Sequence, residues 1–227
     1  MKDQTSKDPN HNWKEPSVEN FREVLKGPWE KVDRTDFKVE ICHKKKAIYI
    51  TGQSSNYEDW PDNFDFRKRR LYELMDQKPE QWFPDRDDIW VHSGFLAQYK
   101  PVRRQLIDIL KQYPEYAVYI GGWSLGGSWT QLLLEEVWHR WRNKRVIVFF
   151  GYATGNAFRN LPKEYREGIA KCSTFVYCWW DPVTWMRVLR FYRYGKNIRI
   201  GKWWRIWPFQ HCTYQIERAL KEKFGGP

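Results

Sequence analysis

Ala117-Val118-Tyr119-Ile120-Gly121-Gly122-Trp123-Ser124-Leu125-Gly126-Gly127 decides how this chain is read. A short apolar, β-prone run ends in a glycine pair. Ser124 follows with a glycine two residues to either side, and Ser128 to Trp141 then reads as a helix. Strand, tight turn and helix are the setting in which G-x-S-x-G works as a nucleophile elbow. The serine of such a turn sits on strained backbone. Gly122 and Gly126 lack the Cβ atoms that would collide where strand and helix pass. The turn lifts the Ser124 hydroxyl clear of the sheet and aims the first N–H groups of the helix at the same place. Their partial positive charge can hold a developing oxyanion. A glycine-rich turn with an incidental serine is the plain alternative, and the setting favours the elbow.

An elbow serine needs a base and an acid, and in enzymes built this way the chain order is Ser, Asp or Glu, then His. The histidines are His11, His43, His92, His139 and His211. Only His211 lies well downstream, because His139 falls on the helix that follows the serine. The acids in between are Glu135, Glu136, Glu164, Glu167 and Asp181. The glutamates fall in helix-like segments. Asp181 directly follows Thr174-Phe175-Val176-Tyr177-Cys178-Trp179-Trp180, which reads as a buried strand. An acid at the C-terminal end of such a strand lies on the edge where open α/β sheets hold their sites. Ser124 is therefore the expected nucleophile, His211 the general base, and Asp181 the group that orients the imidazole. Taken singly, Asp181 also suits a cap before Pro182, and His211 a structural histidine. Their order after the elbow favours the triad.

On these residues the chain resembles the class 3 (fungal-type) lipases, from about Ala47 to Tyr214. Val91-His92-Ser93-Gly94-Phe95-Leu96 is similar to the family's V-H-x-G-F, and Gly122-Trp123-Ser124-Leu125-Gly126-Gly127 to its G-H-S-L-G-G. Phe150 to Phe158 resembles F-G-x-P-R-x-G-N-x-x-F, Asp181-Pro182-Val183 the D-P-V that carries the aspartate, and His211 with Tyr214 the H-x-x-Y. Ile50-Thr51-Gly52-Gln53 with Asp59-Trp60 resembles F-R-G-T and D-W. The resemblance implies an α/β-hydrolase fold: a mostly parallel central sheet flanked by helices in a single domain. It implies a serine carboxylic-ester hydrolase that acts on lipid or other acyl esters through an acyl-enzyme, with no metal or organic cofactor. The same triad would serve a phospholipase or an acyltransferase. A non-catalytic binder of anionic membranes or nucleic acid, keeping the fold as a relic, is the reading from outside the enzyme class.

The departures fall on the site itself. Trp123 replaces the histidine that usually precedes the nucleophile, so altered packing is expected there rather than lost chemistry. Tyr152 and Ala153 stand where the family often has a residue and then proline. Gln53 stands where Thr or Ser usually serves the oxyanion, and can offer a backbone N–H and a side-chain amide. Leu125 would give the second N–H. Relatives carry a lid soon after the oxyanion strand, which here would fall at about Asn56 to Trp82. Trp60, Trp82, Phe83 and Trp123 are the lid or substrate-binding candidates. The alternative for this stretch is an ordinary surface excursion with aromatics in the core.

Thirty-nine Lys and Arg against 28 Asp and Glu give a net charge of +11 over 227 residues. Trp185 to Phe209 concentrates this charge: Arg187, Arg190, Arg193, Lys196, Arg199, Lys202 and Arg205 stand among eight aromatics with no acid. Such a mixture suits an anionic membrane surface or nucleic acid, of which nucleic acid is disfavoured as a partner. A hairpin with core aromatics and a solvated basic face is the alternative. No apolar run reaches the roughly 18 residues of a membrane helix. Met1 to His11 is polar without an apolar h-region, so a cytoplasmic protein is expected. Cys42, Cys172, Cys178 and Cys212 lack metal-like spacing and read as reduced thiols.

Residues 1–35 are expected to form a polar N-terminal extension, loosely attached to about residue 16, with a short helix over 17–26. Residues 36–227 would form the lipase-like domain. Phe37 to Ile41 and Lys46 to Ile50 read as a hairpin. Phe66 to Met75 reads as a helical piece. A helix is predicted from about Phe95 to Tyr113, with Pro101 limiting its first turn. Arg145 to Phe150 reads as a central parallel strand. Strand, helix, strand alternation gives a βαβ pattern.

Overall fold

The computed structural model describes residues 13, 15–53, 65–71, 89–179, 181–184, 190–201 and 211–225. Its main sheet has seven strands in the order β1-β2-β3-β6-β7-β9-β10. These are β1 Glu30–Val32, β2 Thr35–Cys42, β3 Ala47–Gly52, β6 Ala117–Trp123, β7 Ile147–Tyr152, β9 Ser173–Cys178 and β10 Lys196–Ile200. The first two joins, β1–β2 and β2–β3, are antiparallel, the second as the hairpin reading expects. Every join from β3 to β10 is parallel. A small antiparallel sheet, β4 Lys68–Arg70, β5 Trp90–His92 and β8 Phe158–Asn160, lies apart from it. The helices are α1 Val18–Leu25, α2 Ser93–Gln112, α3 Ser124–Trp141, α4 Lys163–Cys172 and α5 Thr213–Phe224.

The parallel strands read as near-continuous apolar runs because both faces of the sheet are covered. Alternate side chains go to opposite faces, and two cores result. Ile48, Ile50, Val118, Ile120, Phe149 and Phe175 join Leu106, Leu132, Leu133 and Ile169 from α2, α3 and α4. Their strand neighbours Tyr49, Phe150, Tyr152, Val176 and Cys178 join Phe21 and Val24 of α1 and Ile216 and Leu220 of α5. Helix α3 is buried on all sides from Ser124 to Trp138, which is why its apolar residues follow no single stripe.

The N-terminal segment carries one large apolar anchor. Trp13 is buried, edge-on to Tyr119 and Phe150 and tilted against Tyr49. The indole fits because Gly121 has no Cβ: one there would come within 2.8 Å of the ring. Further along, α1 buries Phe21 against Tyr152, and β1 extends the sheet. A polar flank hid one large apolar anchor.

Three further elements depart from the reading. Lys68–Arg70 is a strand paired with Trp90–His92, although the helix formers after it suggested a helix. Pairing in the sheet overrides local propensity there. Helix α2 begins at Ser93, so Pro101 lies well inside it and not in its first turn. Lys196–Ile200 is a strand parallel to β9 that the reading did not single out.

Candidate active site

Ser124 is the first residue of α3, and its backbone is left-handed with φ of 54°. A non-glycine residue there is strained and persists only where its surroundings fix it. The glycines show what fixes it. A Cβ on Gly122 would meet the Gly127 backbone nitrogen at 2.4 Å, and one on Gly126 would meet the carbonyl oxygens of Gly52 and Gln53 at 2.2 and 2.3 Å. Helix α3 therefore lies directly against the ends of β6 and β3. Side chains of α3 complete the brace. The Ser128 hydroxyl donates to the Ser124 carbonyl at 2.7 Å and accepts the Gly155 N–H at 2.7 Å. The Gln131 amide donates to the Gly155 carbonyl at 2.8 Å. Sequence reasoning did not single out Ser128 and Gln131; a hydroxyl one turn after the nucleophile was the available signal.

Asp181 follows β9 and opens a short turn. Its carboxylate accepts the Val183 N–H at 3.0 Å, and its carbonyl accepts the Thr184 hydroxyl at 2.8 Å. It caps the turn, as the plain reading had it, and it also reaches His211. Nδ1 of His211 lies 3.0 and 3.1 Å from the two Asp181 oxygens. Nε2 of the same ring lies 2.7 Å from the Ser124 hydroxyl. A carboxylate can only accept, so Nδ1 carries the proton, Nε2 is bare, and the Ser124 hydroxyl donates to it. Asp181 is 0% exposed, Ser124 7%, and the His211 side chain 23%. The relay runs from the interior outward, with its imidazole at the mouth.

Gln53 lies beside the elbow, but its backbone N–H donates to the Asp36 carbonyl at 3.0 Å. That N–H serves the sheet, and the side-chain amide is the Gln53 donor that remains. The Leu125 N–H is at the start of α3, where the first N–H groups have no partner inside the helix. Trp123, one of the lid or substrate-binding candidates, lies against the triad. Its indole stacks on His211 with ring centroids 5.6 Å apart and planes 25° apart. Its Nε1 is buried without a hydrogen-bond partner among the described residues. An unmet donor of this kind costs about 1–3 kcal/mol. Trp60, Trp82 and Phe83 lie outside the described residues, as do Arg187, Lys202 and Arg205 of the basic segment.

The rest of that segment divides. Arg193 is drawn inward: it donates to the Thr154 carbonyl at 2.9 Å and lies 4.2 Å over the Tyr177 ring, and burial pushes its pKa down. Arg199 lies 4.5 Å over Trp179, which is 36% exposed, two residues before Asp181. Cys178, also near Asp181, is pushed up to about 12 by burial and then by the carboxylate's charge, so its thiol stays neutral. All four cysteines are free. No group of His, Cys, Asp and Glu among the described residues could hold a metal ion.

A mostly parallel sheet with helices on both faces and a serine elbow after an inner strand is the α/β-hydrolase architecture. Within it, residues 47–186 match the family Lipase (class 3), more than half of the chain, and the chain belongs to that family. Lipase A of Sodiomyces alcalophilus is 38% identical over 76 residues, which are 31% of this chain and 18% of that protein. A lipase of Rhizomucor miehei is 36% identical over 69 residues, 29% of this chain and 19% of that protein. The matched stretch is thus under a fifth of these relatives' length. A solved triacylglycerol lipase, described as having a serine-protease triad for its catalytic centre, superimposes with a TM-score of 0.58 at 19% identity. That match covers 77% of this chain and 66% of the other.

Proposed function

We propose that this chain hydrolyses carboxylic esters of the lipid or acyl-ester class, with Ser124, His211 and Asp181 as its catalytic triad. The observation that carries this is the unbroken contact from a left-handed Ser124 through both nitrogens of His211 to a buried Asp181. As Ser124 Oγ attacks the carbonyl carbon, its proton passes to Nε2 and the carbonyl π electrons move onto oxygen. The Leu125 N–H and the Gln53 side-chain amide are the donors for that oxyanion. Asp181 stabilises the imidazolium without taking its proton. The imidazolium then protonates the departing alkoxide, and an acyl-enzyme remains. Water repeats the cycle with the same base and releases the acid. The names of the relatives support a lipid ester as substrate. A phospholipase or acyltransferase would use the same triad with another head group or acceptor.

The test is labelling with a fluorophosphonate, followed by intact mass and peptide mapping. One adduct, on Ser124, is the expected result. A protein that takes no label, or takes it on another residue, overturns the assignment.

A further inference from the structure

Trp123 immediately precedes the nucleophile, and its position argues for more than packing. Its ring lies nearly parallel to the His211 imidazole, 5.6 Å between centroids. Its only polar atom is buried and has no partner among the described residues. A ring that leaves its N–H unmet is not held there by hydrogen bonding. What it offers the site is its face, and the indole face is the most electron-rich of the aromatic side chains. It also packs against the core beneath α1 and α5, which fixes the plane it presents.

We propose that Trp123 is a positioning residue that stabilises the protonated form of His211 through its π face. This rests on the triad reading above. Proton transfer from Ser124 makes the imidazole cationic only as the reaction proceeds, so the attraction is weak in the ground state and strong in the transition state. Such an interaction raises kcat rather than tightening substrate binding. It works beside Asp181: the carboxylate holds the ring edge at Nδ1, and the indole meets the ring face. Among the described residues, the Arg193 guanidinium acts electrostatically on Asp181 and Arg199 lies beyond it over Trp179, while on α5 Glu217 pairs with Arg22 and Lys221, and Arg218 with Glu222. The Ser124 hydroxyl bonds Nε2, and the Cys178 thiol, kept neutral by burial, lies near Asp181. Cys212 and Tyr214, both exposed, stand at the start of α5. The buried Tyr152 phenol, raised well above its ordinary value by burial, is the cross-strand neighbour of Trp123. None of these supplies a second charge opposite the indole.

The test compares Trp123→Phe, which keeps a weaker face, with Trp123→Leu and Trp123→Met, which keep an apolar side chain without one. Met is included because its flexible chain fills a cavity that Leu does not fit. For Leu and Met, kcat should fall about two- to fivefold with KM unchanged, and the acid limb of the pH profile should move about half a unit to lower pH. Phe should fall between. The second measurement is an NMR titration of the His211 ring protons in Ser124→Ala, with and without the Trp123 change. It needs no turnover and should show the same displacement. Superimposable profiles and titrations for Trp, Leu and Met would overturn the proposal and leave Trp123 as packing. A wild-type protein that fails to take fluorophosphonate breaks the triad reading instead, while the NMR titration still decides the stack.

Discussion

Helix α3 has a buried carboxylate beside each end, and the two are used in opposite ways. At its N-terminus Asp181 meets one imidazole that opens toward solvent. Near its C-terminus Glu136 is ringed: Arg103 binds both carboxylate oxygens at 2.7 and 2.8 Å, Arg140 donates at 2.8 and 3.0 Å, and the Tyr99 hydroxyl donates at 2.9 Å. Burial and the Glu136 charge hold the Tyr99 phenol in its protonated form. Two guanidinium groups and a phenol leave Glu136 nothing further to do. Both Asp181 oxygens face a group that can change charge, and one of them also accepts an N–H of its own turn. A buried acid marks a site only where its partner is titratable and the relay reaches the surface.

The largest expected effect breaks the reactive end. Ser124→Ala should lower kcat on a soluble short-chain ester by roughly four orders of magnitude or more, with a trace left from oxyanion binding. Asp181→Asn should cost about four orders of magnitude, because the amide favours the wrong imidazole tautomer. Both variants should unfold cooperatively near the wild-type midpoint. Near wild-type turnover in either one would remove it from the triad.

Glu136→Ala is the matching change at the closed end. Removing one partner of a buried ion pair strands the other charges, and the expected loss is about 3–5 kcal/mol of stability in denaturant unfolding. Turnover per folded molecule should stay within about twofold. If activity fell as steeply as in Asp181→Asn, the two ends of α3 would be coupled and the contrast would fail.

That contrast was only half legible in the chain. The elbow, β7 and β9 could be read because a buried parallel strand is a continuous apolar run and the glycines punctuate it. Asp181 and His211 followed from chain order. Glu136 was visible only as a glutamate on a helix, since its partners Tyr99 and Arg103 lie more than thirty residues away. The Gln53 N–H goes to Asp36, a choice set by how far the β2–β3 ladder runs, which no local pattern shows. Trp13 and Lys68–Arg70 show the same limit: a polar flank says nothing about one anchoring ring, and a basic tripeptide says nothing about a partner strand.

His92 sharpens the comparison by a smaller amount. It sits at the start of α2, stacked on Phe95 with centroids 4.0 Å apart, and burial lowers its pKa from 6.5 to about 4, with the Asp65 charge opposing. Its Nδ1 accepts the Phe95 N–H at 3.4 Å, so the ring is a neutral cap. Between pH 6.5 and 4 the unfolded chain binds a proton that the folded one refuses. Stability should therefore fall as pH drops through that window, by about 3 kcal/mol if His92 acts alone. His92→Phe should flatten this part of the stability curve, whatever the cost of the lost cap. An unchanged slope would assign the acid sensitivity elsewhere.

The smallest effect concerns the surface beside the reactive end. Tyr177 and Trp179 stand on the strand segment that leads to Asp181, and Arg199 lies over Trp179 with its cation outward. One cation near an anionic bilayer contributes about 1 kcal/mol, and an exposed indole suits the headgroup level. Arg199→Gln should therefore weaken binding to anionic vesicles about fivefold at low salt, and Trp179→Ala by a similar factor. The difference from wild type should shrink as salt shortens the Debye length for Arg199→Gln but persist for Trp179→Ala, since only the first loss is ionic. Hydrolysis of a soluble ester should be unchanged in both, because among the described residues no hydrogen bond or ring contact joins either side chain to Ser124 or His211. Equal binding to anionic and zwitterionic vesicles by the wild type would leave Arg199 as a solvated cation. The open end of the relay would then face water, not a lipid surface.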